Sequence, residues 1–355
     1  MKKNDSRILF YVSGESDPSP RFRFHQFITP LRELGFTVDV VTMNPIRNQA
    51  LKYSKIPVLK KLEQAYFLWK RTRTIHKMIQ NAASYDLIFT NKDLVPNLNV
   101  RHLEKKLAAV NKNLVFDIDD AIYFGKRGEK LKETLPNYKA VIAGSPILGN
   151  YVSENFGVRS YYIPMAIDTS KYKPVSQRPA GKFRIGWSGS HHTNVHALPL
   201  LQKPLEELAK RIDFEFIVVS NVDPELSWNV DSRFIQWTEK SEVNAIQLFD
   251  VGLMPLQDSE FERGKCALKA VQYMAVGVPP VVSPVGVNAQ IVRDGEDGYH
   301  FKDNDELLEK LVILSENIEL RNTMGTSAYT RVLENYSIDV LKHEYARVFD
   351  EIIHS

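Results

Sequence analysis

The sequence predicts an α/β protein made of two doubly wound parallel sheets, each in its own domain. Three observations carry this expectation. Short apolar runs alternate with helix-length segments along the whole chain. Several of those runs are continuously apolar, as strands buried on both faces are. Near the middle, Lys171 to Lys182 (KYKPVSQRPAGK) breaks the alternation with proline, glycine and polar residues, and suits a linker. A chain of 355 residues is long enough for two domains.

Taken in order, Ile8–Ser13, Thr37–Thr42, Leu87–Thr90, Leu114–Asp117, Ala140–Ala143 and Tyr161–Pro164 are expected to form the first sheet. Phe183–Trp187, Phe214–Ser220, Phe234–Trp237, Val251–Leu256 and Pro280–Ser283 are expected to form the second. The domains then span residues 1–175 and 176–335. Residues 336–353 (YSIDVLKHEYARVFDEII) read as a terminal amphipathic helix.

A 43% apolar and 25% charged composition describes a globular chain, and no apolar run approaches the length needed to cross a bilayer. The N-terminus has no signal-peptide core, since Ile8 to Val12 reads as a buried strand. Cys266 is the single cysteine, so no internal disulfide can form and a cytoplasmic setting is expected, with Cys266 a packed thiol. The net charge of +3 conceals a split. Residues 1–178 carry 29 Lys and Arg against 16 Asp and Glu, whereas the remainder carries 17 against 27. The first half is therefore expected to face something anionic. From Arg47 to Lys77 there are nine basic residues and one acid, Glu63. Within that stretch KLEQAYFLWKRTRTIHKMI fits a helix lying on an anionic membrane surface, or an ordinary amphipathic helix with its basic side in water. No nucleic-acid-binding motif accompanies the charge.

Four stretches hold candidate site residues. The first loop, SGESDPSPRFRFHQF, offers Gly14 for close backbone approach, and Arg21 and Arg23 for an anionic acceptor group or simply for solvent. NLVFDIDDAIYF ends a strand in Asp117, Asp119 and Asp120, which fits a reactive site, a helix N-cap or an Mg²⁺ site. RIGWSGSHHTNVHAL places Gly189, Ser190, His191, His192 and Thr193 at a strand-to-helix turn of the kind that accepts anions. The last stretch, Phe249 to Asn288, has a strand, an acidic loop, a helix expected over Lys265–Val276 and another strand. Lys265, Lys269 and Gln272 then share one helical face, suited to a diphosphate or to plain solvation.

Within the last stretch QYMAVGVPPVVSPVGVNAQIVRDGEDGYHF resembles the C-terminal signature of glycosyltransferase family 4. The resemblance implies a GT-B fold, two Rossmann-like domains facing a central cleft. It implies retaining transfer of a sugar from a nucleotide-diphosphate donor to a hydroxyl of a glycan or lipid-linked acceptor, in cell-surface polysaccharide or glycoconjugate synthesis. No cofactor and no catalytic metal are implied. The donor would lie on Gly189, Ser190, His191, Lys265, Lys269, Gln272 and the Gly286, Val287 and Asn288 loop, with Trp237 a loose match to a base-stacking residue. Gly14, Arg21 and Arg23 would serve the acceptor. Asp119 and Asp120 stand where relatives carry a histidine or a His-Asp pair reaching the transferred sugar. Residues 336–355 would cross back to the first domain. The sequence departs from the pattern at two positions: the family's paired glutamates are here Gly264 and Gln272, with Glu262 two residues early. That departure keeps open a nucleotide-sugar epimerase and a non-catalytic sugar-nucleotide binder. A lipid-linked acceptor would bring peripheral contact with the inner face of an anionic membrane.

Overall fold

The computed structural model describes residues 6–14, 18–43, 56–95, 100–176 and 181–355, except the side chain of Lys60. Residues 47–55 of the basic stretch, 177–180 of the expected linker and 15–17 of the first loop lie outside the described residues. The chain divides into two compact units, Met1–Pro164 with Lys342–Ser355, and Met165–Leu341.

In the first unit six parallel strands run in the order β2-β1-β3-β4-β5-β6. They are β1 (Arg7–Val12), β2 (Thr37–Thr42), β3 (Leu87–Asn91), β4 (Leu114–Ile118), β5 (Ala140–Ala143) and β6 (Ser160–Tyr162). Ile8 lies between Val38 and Leu87 in register. The inner strands β3, β4 and β5 are buried throughout, which is why β5 is continuously apolar and β3 and β4 open on apolar runs before Thr90 and Asp117. Around them stand α1 (Pro18–Arg23), α2 (Ile28–Glu33), α3 (Pro57–Asn81), α4 (His102–Val110), α5 (Gly125–Thr134) and α6 (Pro146–Phe156). Local chemistry bounds α6 at both ends. Ser145 Oγ accepts the Leu148 amide at 3.3 Å, Pro146 opens the first turn, and Gly157 closes the helix at φ 66°.

The second unit holds a six-stranded parallel sheet in the order β12-β11-β10-β7-β8-β9. Its strands are β7 (Phe183–Ser188), β8 (Phe214–Ser220), β9 (Ser232–Gln236), β10 (Val251–Met254), β11 (Pro280–Val282) and β12 (Tyr299–His300). Its helices are α7 (His191–Leu208), α8 (Glu242–Ile246), α9 (Glu260–Arg263), α10 (Leu268–Ala275), α11 (Asn288–Ile291), α12 (Asn304–Glu316) and α13 (Ile318–Asn335). Trp187, Leu201, Phe216, Leu253, Leu307 and Leu311 meet in its core. The helix α14 (Ile338–His354) starts in this unit, and from Lys342 onward it belongs to the first. There the Tyr345 ring lies 4.5 Å from Phe27 and the Phe349 ring 5.5 Å from Phe89, closing the aromatic core over β1 and β3.

Several strand ends shift by one or two residues from the sequence expectation, and three differences go further. The units part after Pro164, not at 175, because Ile167 bridges to Ser337 and Tyr172 bonds to Glu242 and Gln272. The two-residue strand β12 is too short to carry a pattern. The helix expected from Lys265 begins only at Leu268, since Ala267 takes a left-handed conformation (φ 54°) that no helix continues through.

Each sheet has a topological switch point, where successive strands are laid down in opposite directions. In the first it falls between β1 and β3, in the second between β7 and β10. The carboxyl ends of those strands are where an open parallel sheet offers a crevice for ligands.

Candidate active site

In the second unit the loops around the switch point are tied to one another. Gly189 follows β7, and a Cβ there would stand 2.7 Å from both Trp187 and Thr193, so only glycine lets the turn close. The Lys269 ammonium sits 5.1 Å from the centre of the Trp187 ring. Trp187 is itself fixed by donating from Nε1 to Asn194 Oδ1 at 2.9 Å. The Ser188 amide, at the end of β7, donates to the buried Tyr273 hydroxyl of α10 at 3.0 Å. Gly286, at φ 59°, packs so tightly that a Cβ would meet the Arg263 carbonyl at 2.4 Å. Ser283 Oγ accepts the Leu256 amide at 3.0 Å, and Asn288 Nδ2 donates to the Ser283 carbonyl at 3.1 Å. The loops after β7, β10 and β11 thus form one connected rim.

The predicted donor residues divide on this rim. Gly189, Ser190, His191, Lys269 and Gly286 lie on it with some exposure. Lys265 does not share a helical face with Lys269, because it precedes Ala267; it lies 3.9 Å from Glu262 and over the Phe261 ring. Gln272 is on the inner side of α10, 4% exposed, and donates to the Tyr172 hydroxyl at 3.1 Å. Tyr172 bonds in turn to Glu242, which also accepts Trp237 Nε1 at 2.9 Å. Trp237 is therefore held by its indole nitrogen. Val287 and Asn288 are both buried, so their side chains shape the loop from behind. At the start of α7 the anion-accepting amides are partly used: His191 N donates to Asn221 Oδ1 at 2.7 Å and Thr193 N to Ser190 Oγ at 3.4 Å. His191 and His192 keep exposed side chains. Cys266 is buried and free of any disulfide.

In the first unit Asp117, near the end of β4, and Asp119, just after it, are each matched with a cation. Asp117 Oδ1 and Arg23 Nε are 2.6 Å apart, with both side chains fully buried. Arg23 also donates to the Ile163 carbonyl at 3.0 Å. Its expected acceptor role is overturned by that burial: α1 turns it inward as the counter-ion of Asp117. Burial still pushes the Asp117 carboxyl up to about 6 despite Arg23. Asp119 Oδ1 stands 3.0 Å from Lys92 Nζ. Burial raises Asp119, yet Lys92, a hydrogen bond from Ser19 and the charge of Arg23 outweigh it and hold it below the usual carboxylate range. Asn91 bridges the two acids' surroundings by donating to Ser19 Oγ at 2.8 Å. Asp120 is half-buried and accepts from the Ala121 amide at 3.3 Å. Neither Asp119 nor Asp120 caps a helix, because α5 starts at Gly125 behind Phe124. Gly14 is half-buried after β1, and the half-buried Arg21 places its guanidinium 4.5 Å from the Phe22 ring centre.

Sequence reasoning passed over Lys92, Ser19, Asn91, Trp187 and Tyr273. Lys92 had a signal, since it ends the apolar run Leu87–Thr90 at the switch point, and it carries a left-handed backbone (φ 67°) that a lysine adopts only under constraint. The others are recognisable only once the strands are paired.

Residues 182–317 match the family model described as glycosyl transferases group 1. An uncharacterized glycosyltransferase of Methanocaldococcus jannaschii is 29% identical over 97 residues, which are 27% of this chain and 25% of that relative. The match thus spans about a quarter of the curated relative. Among solved structures, sucrose-phosphate synthase from Thermosynechococcus elongatus is similar with a TM-score of 0.70 at 16% identity, covering 98% of this chain and 99% of that one. A glycosyltransferase from Rickettsia africae has a TM-score of 0.71 at 13% identity, with 99% of each chain covered. HepE of Anabaena, solved in complex with UDP-glucose, has a TM-score of 0.62 at 16% identity, covering 97% and 99%. The paired six-stranded parallel sheets and these neighbours show a GT-B fold, and most of the second unit is similar to glycosyl transferases group 1.

Proposed function

We propose that this protein transfers a sugar, with retention of configuration, from a nucleoside-diphosphate sugar to a hydroxyl of a glycan or lipid-linked acceptor. The observation that carries the proposal is the rim at the β7–β10 switch point, where Lys269 stands over Trp187 inside the segment that matches glycosyl transferases group 1. A diphosphate leaving group gains negative charge as the glycosidic bond breaks, so a fixed ammonium favours the transition state over the ground state. Gly189 and Gly286 let the rim close upon itself, since a Cβ at either would overlap Trp187 and Thr193 or the Arg263 carbonyl. HepE, a structural neighbour, was solved with UDP-glucose, which supports a nucleotide-sugar donor for this chain.

Asp119 is the carboxylate we assign to the transferred sugar, with Asp120 beside it. Held ionised by Lys92, Asp119 is suited to accept sugar hydroxyls or steady positive charge at the anomeric carbon, and less suited to take up a proton. Because the nearby acids are committed to Arg23 and Lys92, the reaction is proposed to run without a resident metal or cofactor. Lipid-linked acceptors would place the enzyme at the inner face of a membrane, as a peripheral protein of cell-surface glycoconjugate synthesis.

A thermal-shift panel of UDP, GDP, dTDP, ADP and CMP tests the donor site. One nucleotide is expected to raise the melting temperature of the wild type and not of Lys269→Ala. With the donor known, Lys269→Ala should lower kcat/KM by about 10- to 150-fold, the range of one charge-assisted contact. Full activity in that variant would remove Lys269 from the reaction. An anomeric NMR assignment of the product decides retention against inversion.

A further inference from the structure

The 25-residue helix α3 turns a buried face and an exposed apolar face in opposite directions. At 100° per residue, Glu63, Arg71, Ile75 and Met78 share one sector, and all four are buried. Val58, Leu62, Tyr66 and Trp69 lie on the opposite side at i, i+4, i+8 and i+11, and they are 64%, 61%, 59% and 55% exposed. The first face is the one the fold consumes. The second is left uncovered among the described residues, and a contiguous stripe of large apolar side chains marks an interaction surface.

Charge identifies what fits that surface. Lys61, Lys70, Arg73 and Lys77 of the same helix are exposed, and its one acid, Glu63, is buried. The exposed charged side chains described on this helix are therefore all cationic, in a half-chain that itself carries the basic excess. Tyr66 and Trp69 stand 6.0 Å apart, and the Arg73 guanidinium lies 5.4 Å from the Trp69 ring centre. Rings of this type combine an apolar body with a polar edge and settle at lipid headgroup depth, next to cations that reach lipid phosphates. No helix among the described residues is long and apolar enough to cross a membrane, so α3 would lie along the surface.

We propose that α3 seats the protein on an anionic lipid bilayer. Val58, Leu62, Tyr66 and Trp69 enter the headgroup layer, and Lys61, Lys70, Arg73 and Lys77 pair with lipid phosphates. The contact stands on these residues alone and does not depend on the sugar chemistry.

Flotation of the full-length protein with phosphatidylcholine vesicles, with and without phosphatidylglycerol, tests it. The wild type is expected to float only with the anionic vesicles, and to be released by high salt. Arg73→Gln with Lys77→Gln should lower partitioning by about 30-fold, and Leu62→Asp should lower it comparably, with unchanged melting temperatures. Emission from Trp69, read as the difference from Trp69→Phe, should shift to the blue on binding. Equal flotation of Leu62→Asp and wild type would overturn the proposal, because charge alone would then explain binding. So would an absence of flotation. A wild type that is dimeric without lipid and monomeric as Leu62→Asp, with no vesicle binding, would assign the stripe to a second copy of the chain and overturn it as well.

Discussion

Asp119 and Asp117 are two positions apart, and their surroundings push them in opposite directions. Asp117, sealed with Arg23, is raised by burial to about 6, whereas Asp119 is kept ionised by Lys92. Asp117 is thus a structural charge whose loss would leave a buried guanidinium unpaired. Asp119 is the one available for a substrate. Asp119→Asn keeps the shape and removes the charge, so kcat should fall about 100-fold or more while nucleotide binding is unchanged. Weakened nucleotide binding in that variant would move Asp119 out of the sugar role. A third buried acid gives a pH signature. Glu104 is pushed up to about 7, mainly by burial; its Oε1 accepts the Leu94 amide at 3.3 Å and its Oε2 has no hydrogen-bond partner among the described residues. Its folded value lies above its unfolded value near 4.5, so its contribution is complete below about 4.5 and is lost as pH rises through about 7. Stability should therefore drop between those limits by about 3 kcal/mol, and Glu104→Gln should flatten that slope in denaturation curves taken across the range.

At the scale of elements, Gly286 shows how the rim is held. Its φ of 59° and the Arg263 carbonyl in the place of its Cβ mean that Gly286→Ala must displace the loop after β11 or the turn at Arg263. A stability loss of about 1–3 kcal/mol is expected, with weaker nucleotide binding, both measurable by thermal shift. The glycine was legible as one needing close approach, but what approaches it is the protein's own backbone. A similar line separates what the sequence discloses elsewhere. β3 and β4 open on apolar runs and β10 is apolar throughout because both faces are covered, so their existence can be read without a partner. The expected face of Lys265, Lys269 and Gln272 assumed an unbroken helix, and Ala267 breaks it. No pattern near Ala267 announces a left-handed residue, since alanine is a strong helix former. Arg23 was misread for a related reason: its partner Asp117 is 94 residues away, and only the pairing of β1, β3 and β4 brings them together.

At the scale of the molecule, the second unit is a single continuous segment, Met165–Leu341, set between two parts of the first. Each unit owns a separate sheet and core, so each has the means to unfold cooperatively by itself. Calorimetry should then resolve two transitions. They can be told apart by residues already named. Glu104 and Asp117 both belong to the first unit, so the transition that falls between pH 5 and about 7, and falls by less in Glu104→Gln, is the first unit's. Lys269 and the rim belong to the second, so saturating nucleotide should raise only the other transition, by about 2.7 kcal/mol at a hundredfold excess over Kd. Lys269→Ala should abolish that shift and leave the pH-dependent transition where it was. If nucleotide instead moves the pH-dependent transition, the donor site lies on the first unit, and the assignment of Lys269 and the rim after β7, β10 and β11 is wrong.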